Sequence, residues 1–147
     1  MFSVFKKKSE PSATEIVREA ISSEYHGIEH QDLSPGSLRV IQTLQDAGYE
    51  AYLVGGGIRD LLLNKHPKDF DVATNAKPAE IQRLFRKSRI IGRRFQIVHV
   101  RMGPEIIEVT TFRGSAENSH HQKANESGML VRDNVFGTVE DDAVRRD

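Results

Sequence analysis

Two aspartates one residue apart, in Lys68-Asp69-Phe70-Asp71-Val72, follow by a dozen residues a triple glycine, Gly55-Gly56-Gly57-Ile58-Arg59-Asp60. Side chains alternate along an extended strand, so Asp69 and Asp71 are expected on one face, about 7 Å apart along the backbone, with Phe70 and Val72 turned to the core. Alternating acids also occur on edge strands, where they keep the edge soluble. Here the apolar neighbours argue for a half-buried strand. Two acids in such a place repel, and either raise a pKa or hold a cation between them. Magnesium takes one or two carboxylates and fills its shell with substrate phosphate oxygens. A pair of such ions roughly 3.5–4 Å apart activates an attacking hydroxyl and stabilises a leaving pyrophosphate.

The glycines fit the same chemistry. A strand-to-helix turn without side chains lets the backbone approach a phosphate, and the first amides of a helix bind one. The run lacks the Lys-Ser/Thr ending of a P-loop and the G-x-G-x-x-G spacing of a dinucleotide fold, so both of those readings fall. Arg59, one turn into the helix, either clamps a phosphate or pairs with Asp60 or the strand carboxylates. Glu108 shares a strand face with Ile106 and Thr110 and is a candidate third carboxylate, or a solvent-facing glutamate. Glu140, Asp141 and Asp142 precede Arg145-Arg146-Asp147, where acids suit the first turn of a helix and arginines suit bidentate contact with phosphate. The six histidines show no metal-binding spacing; His120-His121 reads as solvated and His99 as a structural, hydrogen-bonded side chain.

The elements that must position these groups are legible from periodicity. Residues 1–33 are polar and read as a flexible N-terminal extension with a short helix over Thr14 to Ser22. Ser34-Pro35-Gly36 reads as cap and turn, followed by a helix over 37–47 that Gly48 ends. A strand over Glu50 to Val54, the glycine turn and a helix over Ile58 to Leu63 come next. The strand over Asp69 to Ala73 leads to Pro78 and a helix burying Ile81, Leu84 and Phe85. Phe95 to Met102 and Glu105 to Phe112 form a hairpin around Gly103-Pro104. Residues 114–128 read as a loop.

The 147 residues suit one modest domain. Lys plus Arg and Asp plus Glu both total 21, which gives no ground for a global attraction to nucleic acid. The distribution is uneven: Ile81 to Arg101 holds Arg83, Arg86, Lys87, Arg89, Arg93, Arg94 and Arg101 and no acid. Such a stretch greets a polyanion or is a solvated helix face. The absence of cysteine excludes disulfides and thiolate metal sites. Met1 to Phe5 is too short an apolar run for a membrane span, so the cytoplasm is the expected location, with no membrane partner.

Leu53 to Leu63 with the triple glycine, Lys68-Asp69-Phe70-Asp71, Gly92 to Val100, and Glu105 to Gly114, in this order, resemble the head of the class II tRNA nucleotidyltransferase and bacterial poly(A) polymerase family. The resemblance runs from about residue 34 to the last. The Gly103 to Glu108 strand, the approach to Arg132-Asp133-Asn134 and the long polar extension look more like the poly(A) polymerase branch than the CCA-adding one. It implies an α/β (α+β) fold, a DNA polymerase β-like palm with a short mixed sheet flanked by helices, occupying residues 34–147. It implies template-independent transfer of AMP from ATP to an RNA 3′ hydroxyl with Mg²⁺. By motif match, Asp69 and Asp71 would hold the metal ions, Gly55, Gly56 and Arg59 would meet the triphosphate, and Arg146 would contact nucleotide. Glu140 would be a third catalytic carboxylate, with Glu108 as its competitor. Family members continue past Arg-Arg-Asp into further helical domains that select the base and hold RNA. This piece is therefore expected to be a truncated head that binds metal and ATP weakly and polymerises little alone. CCA addition to tRNA and a non-catalytic RNA-binding module remain open alternatives, while a sugar-nucleotide transferase is disfavoured by the glycine turn.

Overall fold

A computed structural model describes residues 2–7, 16–114 and 136–146 of the chain. Strand β1 (Phe2–Lys7) pairs antiparallel with β2 (Ile16–Ile21) as a separate two-stranded sheet. A short helix α1 (Ser23–His26) and one 3-10 turn (His30–Asp32) lead to helix α2 (Pro35–Asp46). Then follow β3 (Ala51–Val54), α3 (Gly56–Leu62), β4 (Asp71–Thr74), α4 (Pro78–Leu84), β5 (Ser88–Ile91), β6 (Ile97–Met102), β7 (Glu105–Thr111) and α5 (Val139–Arg145). Strands β3 to β7 form a mixed sheet in the order β3-β4-β7-β6-β5, in which only the β4/β7 ladder is parallel. Among the described residues no helix is long and apolar enough to cross a membrane.

Local chemistry accounts for the helix starts. The Ser34 hydroxyl accepts from Ser37 N at 3.1 Å ahead of Pro35, a cap followed by a residue preset for the first turn. Gly48, at φ 90°, follows the end of α2 in the left-handed region that favours glycine. At α5 the Thr138 hydroxyl accepts from Asp141 N at 3.2 Å and the Asp141 carboxylate accepts from Thr138 N at 3.0 Å, a reciprocal capping box.

The helices α2 and α4 cover one sheet face. Val40, Leu44, Ile81 and Phe85 meet Val72, Val98, Val100, Ile107 and Val109, all buried. Period-2 alternation then places His99, Glu108 and Asp71 on the opposite face. Register confirms the row: Asp71 lies opposite Glu108, and Glu108 opposite His99. The carboxylates therefore sit on the sheet face that these two helices leave open.

Four sequence expectations change. The helix over Thr14 to Ser22 is replaced by β2, because a distant segment, β1, supplies the ladder that local composition could not reveal. The stretch before residue 34 is not without a core contribution, since Ile28 and Leu33 are buried in it. The strand carrying the aspartates begins at Asp71 instead of Asp69, so Asp69 precedes the ladder. Strand β5, hidden in the arginine-rich stretch, forms the sheet edge. The expected 114–128 loop lies outside the described residues beyond Gly114.

Candidate active site

The site is assembled where β3 ends. Val54 pairs with Asp71 across the antiparallel ladder, so the chain leaving β3 must turn beside the Asp71 carboxylate. Gly55 makes that turn at φ 79° and ψ −155°, a region essentially reserved for glycine. A methyl group there would lie 3.1 Å from Asp71 Oδ2. Gly57 is held by a second close approach, since a methyl on it would meet the backbone oxygen of Asp69 at 3.0 Å. The glycine turn and the aspartate segment are thus packed against each other. A methyl on Gly56 would meet Arg59 Nη2 at 3.2 Å, which places the guanidinium back over the start of α3. Arg59 is exposed and sits 3.9 Å from Asp60 Oδ1, a loose surface pair of small energetic weight.

Negative charge accumulates around Asp71. Burial pushes its carboxyl above the usual carboxylate range, Glu108 and Asp69 push it further in the same direction, and Arg146 partly opposes them. Phe70 and Val72 are buried on either side, as the alternation required. Glu108 lies 3.7 Å from His99 Nε2. Among the described residues no group of three or more acidic or imidazole side chains is placed to hold a metal ion. The donor set of Asp69 and Asp71 is nonetheless all oxygen, and at Asp71 burial and the neighbouring acids outweigh the nearby Arg146. That fits Mg²⁺, which takes one or two carboxylates and leaves the rest of its shell to phosphate and water.

A second cluster flanks the first. Asp142 on α5 is 2% exposed and is the acid of the Glu140-Asp141-Asp142 run that faces the sheet. It accepts from Arg113 N at 3.1 Å, Arg145 Nη2 at 3.0 Å and Arg146 Nε at 2.5 Å. Burial would raise its pKa, but the hydrogen bonds from Arg146, the Arg113 backbone and Arg145 outweigh that and hold it below the ordinary value. Arg146 Nη2 also donates to Thr110 Oγ1 at 3.1 Å. Thr110 is two residues along β7 from Glu108, so this bond carries the guanidinium to the carboxylate face. Arg113 is held below its usual pKa by burial first, then by Arg145 and Arg146. Two guanidinium groups and the Arg113 amide share one buried carboxylate, leaving net positive charge beside the acidic centre.

Of the residues singled out from sequence, Asp69, Asp71, Gly55 and Gly56 come together at one corner, Arg59 caps the turn, and Arg146 reaches the same sheet face through Thr110. Glu140 sits half-buried in the first turn of α5 and is not among the charges that move Asp71, whereas Glu108 is. Sequence reasoning missed Asp142 as the organiser of the arginines. The signal was present, because Asp142 precedes Arg145 and Arg146 by three and four residues, the spacing of neighbours on a helix face.

Residues 51–147 match the family described as Poly A polymerase head domain. Over 131 residues the chain is 56% identical to Poly(A) polymerase I of Salmonella typhi, covering 86% of this chain and 28% of that protein. It is 52% identical over 134 residues to Poly(A) polymerase I of Haemophilus influenzae, covering 88% of this chain and 30% of that one. Among solved structures, the Bacillus stearothermophilus CCA-adding enzyme in complex with CTP is similar at a TM-score of 0.52 and 39% identity, over 56% of this chain and 22% of that one. The chain thus spans under a third of the length of these relatives.

Proposed function

We propose that this chain, which belongs to the Poly A polymerase head domain family, is the catalytic head of a template-independent RNA adenylyltransferase that moves AMP from ATP to an RNA 3′ hydroxyl. The observation that carries the reading is the Asp71 carboxylate, destabilised as an anion by burial, Glu108 and Asp69 and pressed against the Gly55 turn. Asp69 and Asp71 would hold Mg²⁺. When bound, the metal supplies charge neutralisation at the α-phosphate and favours the ionised form of the attacking hydroxyl.

The remaining work belongs to this chain's own side chains and backbone. Gly55 and Gly56 keep the turn free of Cβ atoms so that a triphosphate can lie against the backbone. Arg59 is exposed and free to swing from Asp60 to phosphate, and Arg146, oriented by Asp142 and Thr110, offers a second cation to the nucleotide. In-line displacement of pyrophosphate by the hydroxyl then depends on positioning and charge more than on covalent help from the protein.

A third carboxylate beside Asp69 and Asp71 is proposed from two candidates, Glu108 and Glu140. The register of Glu108 opposite Asp71 supports Glu108. In the full-length protein, Glu108→Gln is expected to lower kcat for AMP transfer by about 10²-fold, while Glu140→Gln stays close to the parent. A steady-state comparison of the two variants checks this, and the reverse ranking returns the place to Glu140.

Nucleotide choice separates polyadenylation from CCA addition. The poly(A) polymerase relatives cover more of this chain, at higher identity, than the CTP-bound CCA-adding enzyme, which supports ATP as substrate. The full-length protein, given an RNA primer, Mg²⁺ and either ATP or CTP, is expected to add AMP repeatedly and to leave CTP unused. Incorporation of CMP onto a tRNA end would move the assignment to CCA addition.

A further inference from the structure

The arginine-rich stretch of the sequence does not form a single face. The structure disperses it, and part of it collects on the far side of the β6–β7 hairpin tip from the carboxylates. There a groove of 820 Å³ opens between the start of α2, the segment after α4 and the hairpin turn. Arg39, Arg86, Lys87 and Arg101 line it, each exposed. None of the four makes an ion pair with another described residue. The single acid on the groove, Glu105, is already engaged, since its Oε1 accepts from Gly36 N at 3.2 Å. The approach is tight enough for a methyl on Gly36 to meet the Glu105 carboxyl at 3.0 Å. The result is four cations from three separate elements around one groove that holds a single carboxylate, an excess of positive charge.

We infer that this groove binds the phosphodiester backbone of the RNA substrate, upstream of the 3′ end. The inference rests on the adenylyltransferase reading and adds a subsite to it. Four cations spread over three elements around one groove match a chain of repeated phosphates. Position supports the same occupant. Glu105 at the groove is three residues from Glu108 on β7, an odd offset that puts the groove on the helix-covered face and Glu108 on the open one, and Arg101 is paired with Ile106 at the hairpin tip round which the two faces meet. A strand whose 3′ hydroxyl lies at the carboxylates reaches the groove by passing round the hairpin tip. The groove therefore holds the primer by charge, without reading its sequence.

The test uses the full-length protein and the triple variant Arg39→Gln/Arg86→Gln/Lys87→Gln, with oligo(A) primers of about three and about fifteen nucleotides, the shorter one below the site size of most single-strand binders. The long primer is expected to bind the variant about tenfold more weakly at moderate salt. The slope of log K against log salt is expected to fall by about 2, at roughly 0.7 for each phosphate that the variant no longer neutralises. AMP transfer to the short primer and KM for ATP are expected to stay unchanged. An unaltered salt slope, or an equal loss on both primers, overturns the groove while leaving the adenylyltransferase reading in place. Failure of the parent protein to transfer AMP to either primer removes that reading and the groove with it.

Discussion

Replacing Asp71 with Asn is expected to abolish AMP transfer and, at the same time, to raise the melting temperature of the metal-free protein at neutral pH. The two effects share one cause. Burial, Glu108 and Asp69 lift the Asp71 pKa in the folded state above its ordinary 3.8. A group with a raised folded pKa contributes stability that is present below the unfolded value and lost as pH rises through the folded one. At neutral pH the ionised Asp71 is therefore a deficit that Asn does not carry. In the proposed mechanism the same charge holds the cation, and losing a metal ligand removes several kcal/mol of transition-state stabilisation, about 10³-fold or more in rate. Thermal scans in chelator at pH 7 and well below 3.8 should show the stabilising effect of the substitution at the higher pH alone. Asp69→Ala is expected to match the loss of transfer with RNA affinity retained. Survival of activity in either variant would sink the metal assignment, and a lower melting temperature for Asp71→Asn would sink the electrostatic account.

The second large effect is expected at Asp142, which touches neither of the proposed metal-holding aspartates. Asp142→Ala leaves Arg145 and Arg146 without their partner and the Arg113 amide without its acceptor, all at a position 2% exposed. Breaking a buried pair by removing one partner costs about 3–5 kcal/mol, a large share of the stability of a domain this size. The pH dependence has the opposite sign to that of Asp71. The folded pKa of Asp142 is depressed, by hydrogen bonds that overcome its burial, so its contribution is present above the ordinary carboxylate value and is lost as pH falls through the folded one. Denaturant titrations of the parent protein and Asp142→Asn should differ most near neutrality and converge in acid. Because Asp142 orients Arg146 on Thr110, Asp142→Asn is also expected to raise KM for ATP. A variant with parental stability across this range would remove Asp142 from its positioning role.

What the residues determined on their own was local. The glycine turn, the burial of Phe70 and Val72 about Asp71, the Ser34-Pro35 helix start and the β6–β7 hairpin all follow from steric limits and period-2 or period-3.6 patterns within a few residues of each other. Each was legible because the interacting groups are close in sequence. The tertiary structure decided what had to be brought from afar. Glu108 reaches Asp71 through a parallel pairing that needs the intervening α4, β5 and β6 crossover. The expected N-terminal helix is a strand because β1 offers it a ladder. Asp142 dominates the arginine cluster only because α5 docks it against Arg113 and Thr110, and the basic stretch separates onto different surfaces because β5 runs through it. A chain writes its short-range torsional and periodic preferences in consecutive residues. Which distant charges become neighbours depends on how the buried apolar faces find one another, and the proposed site is made of both.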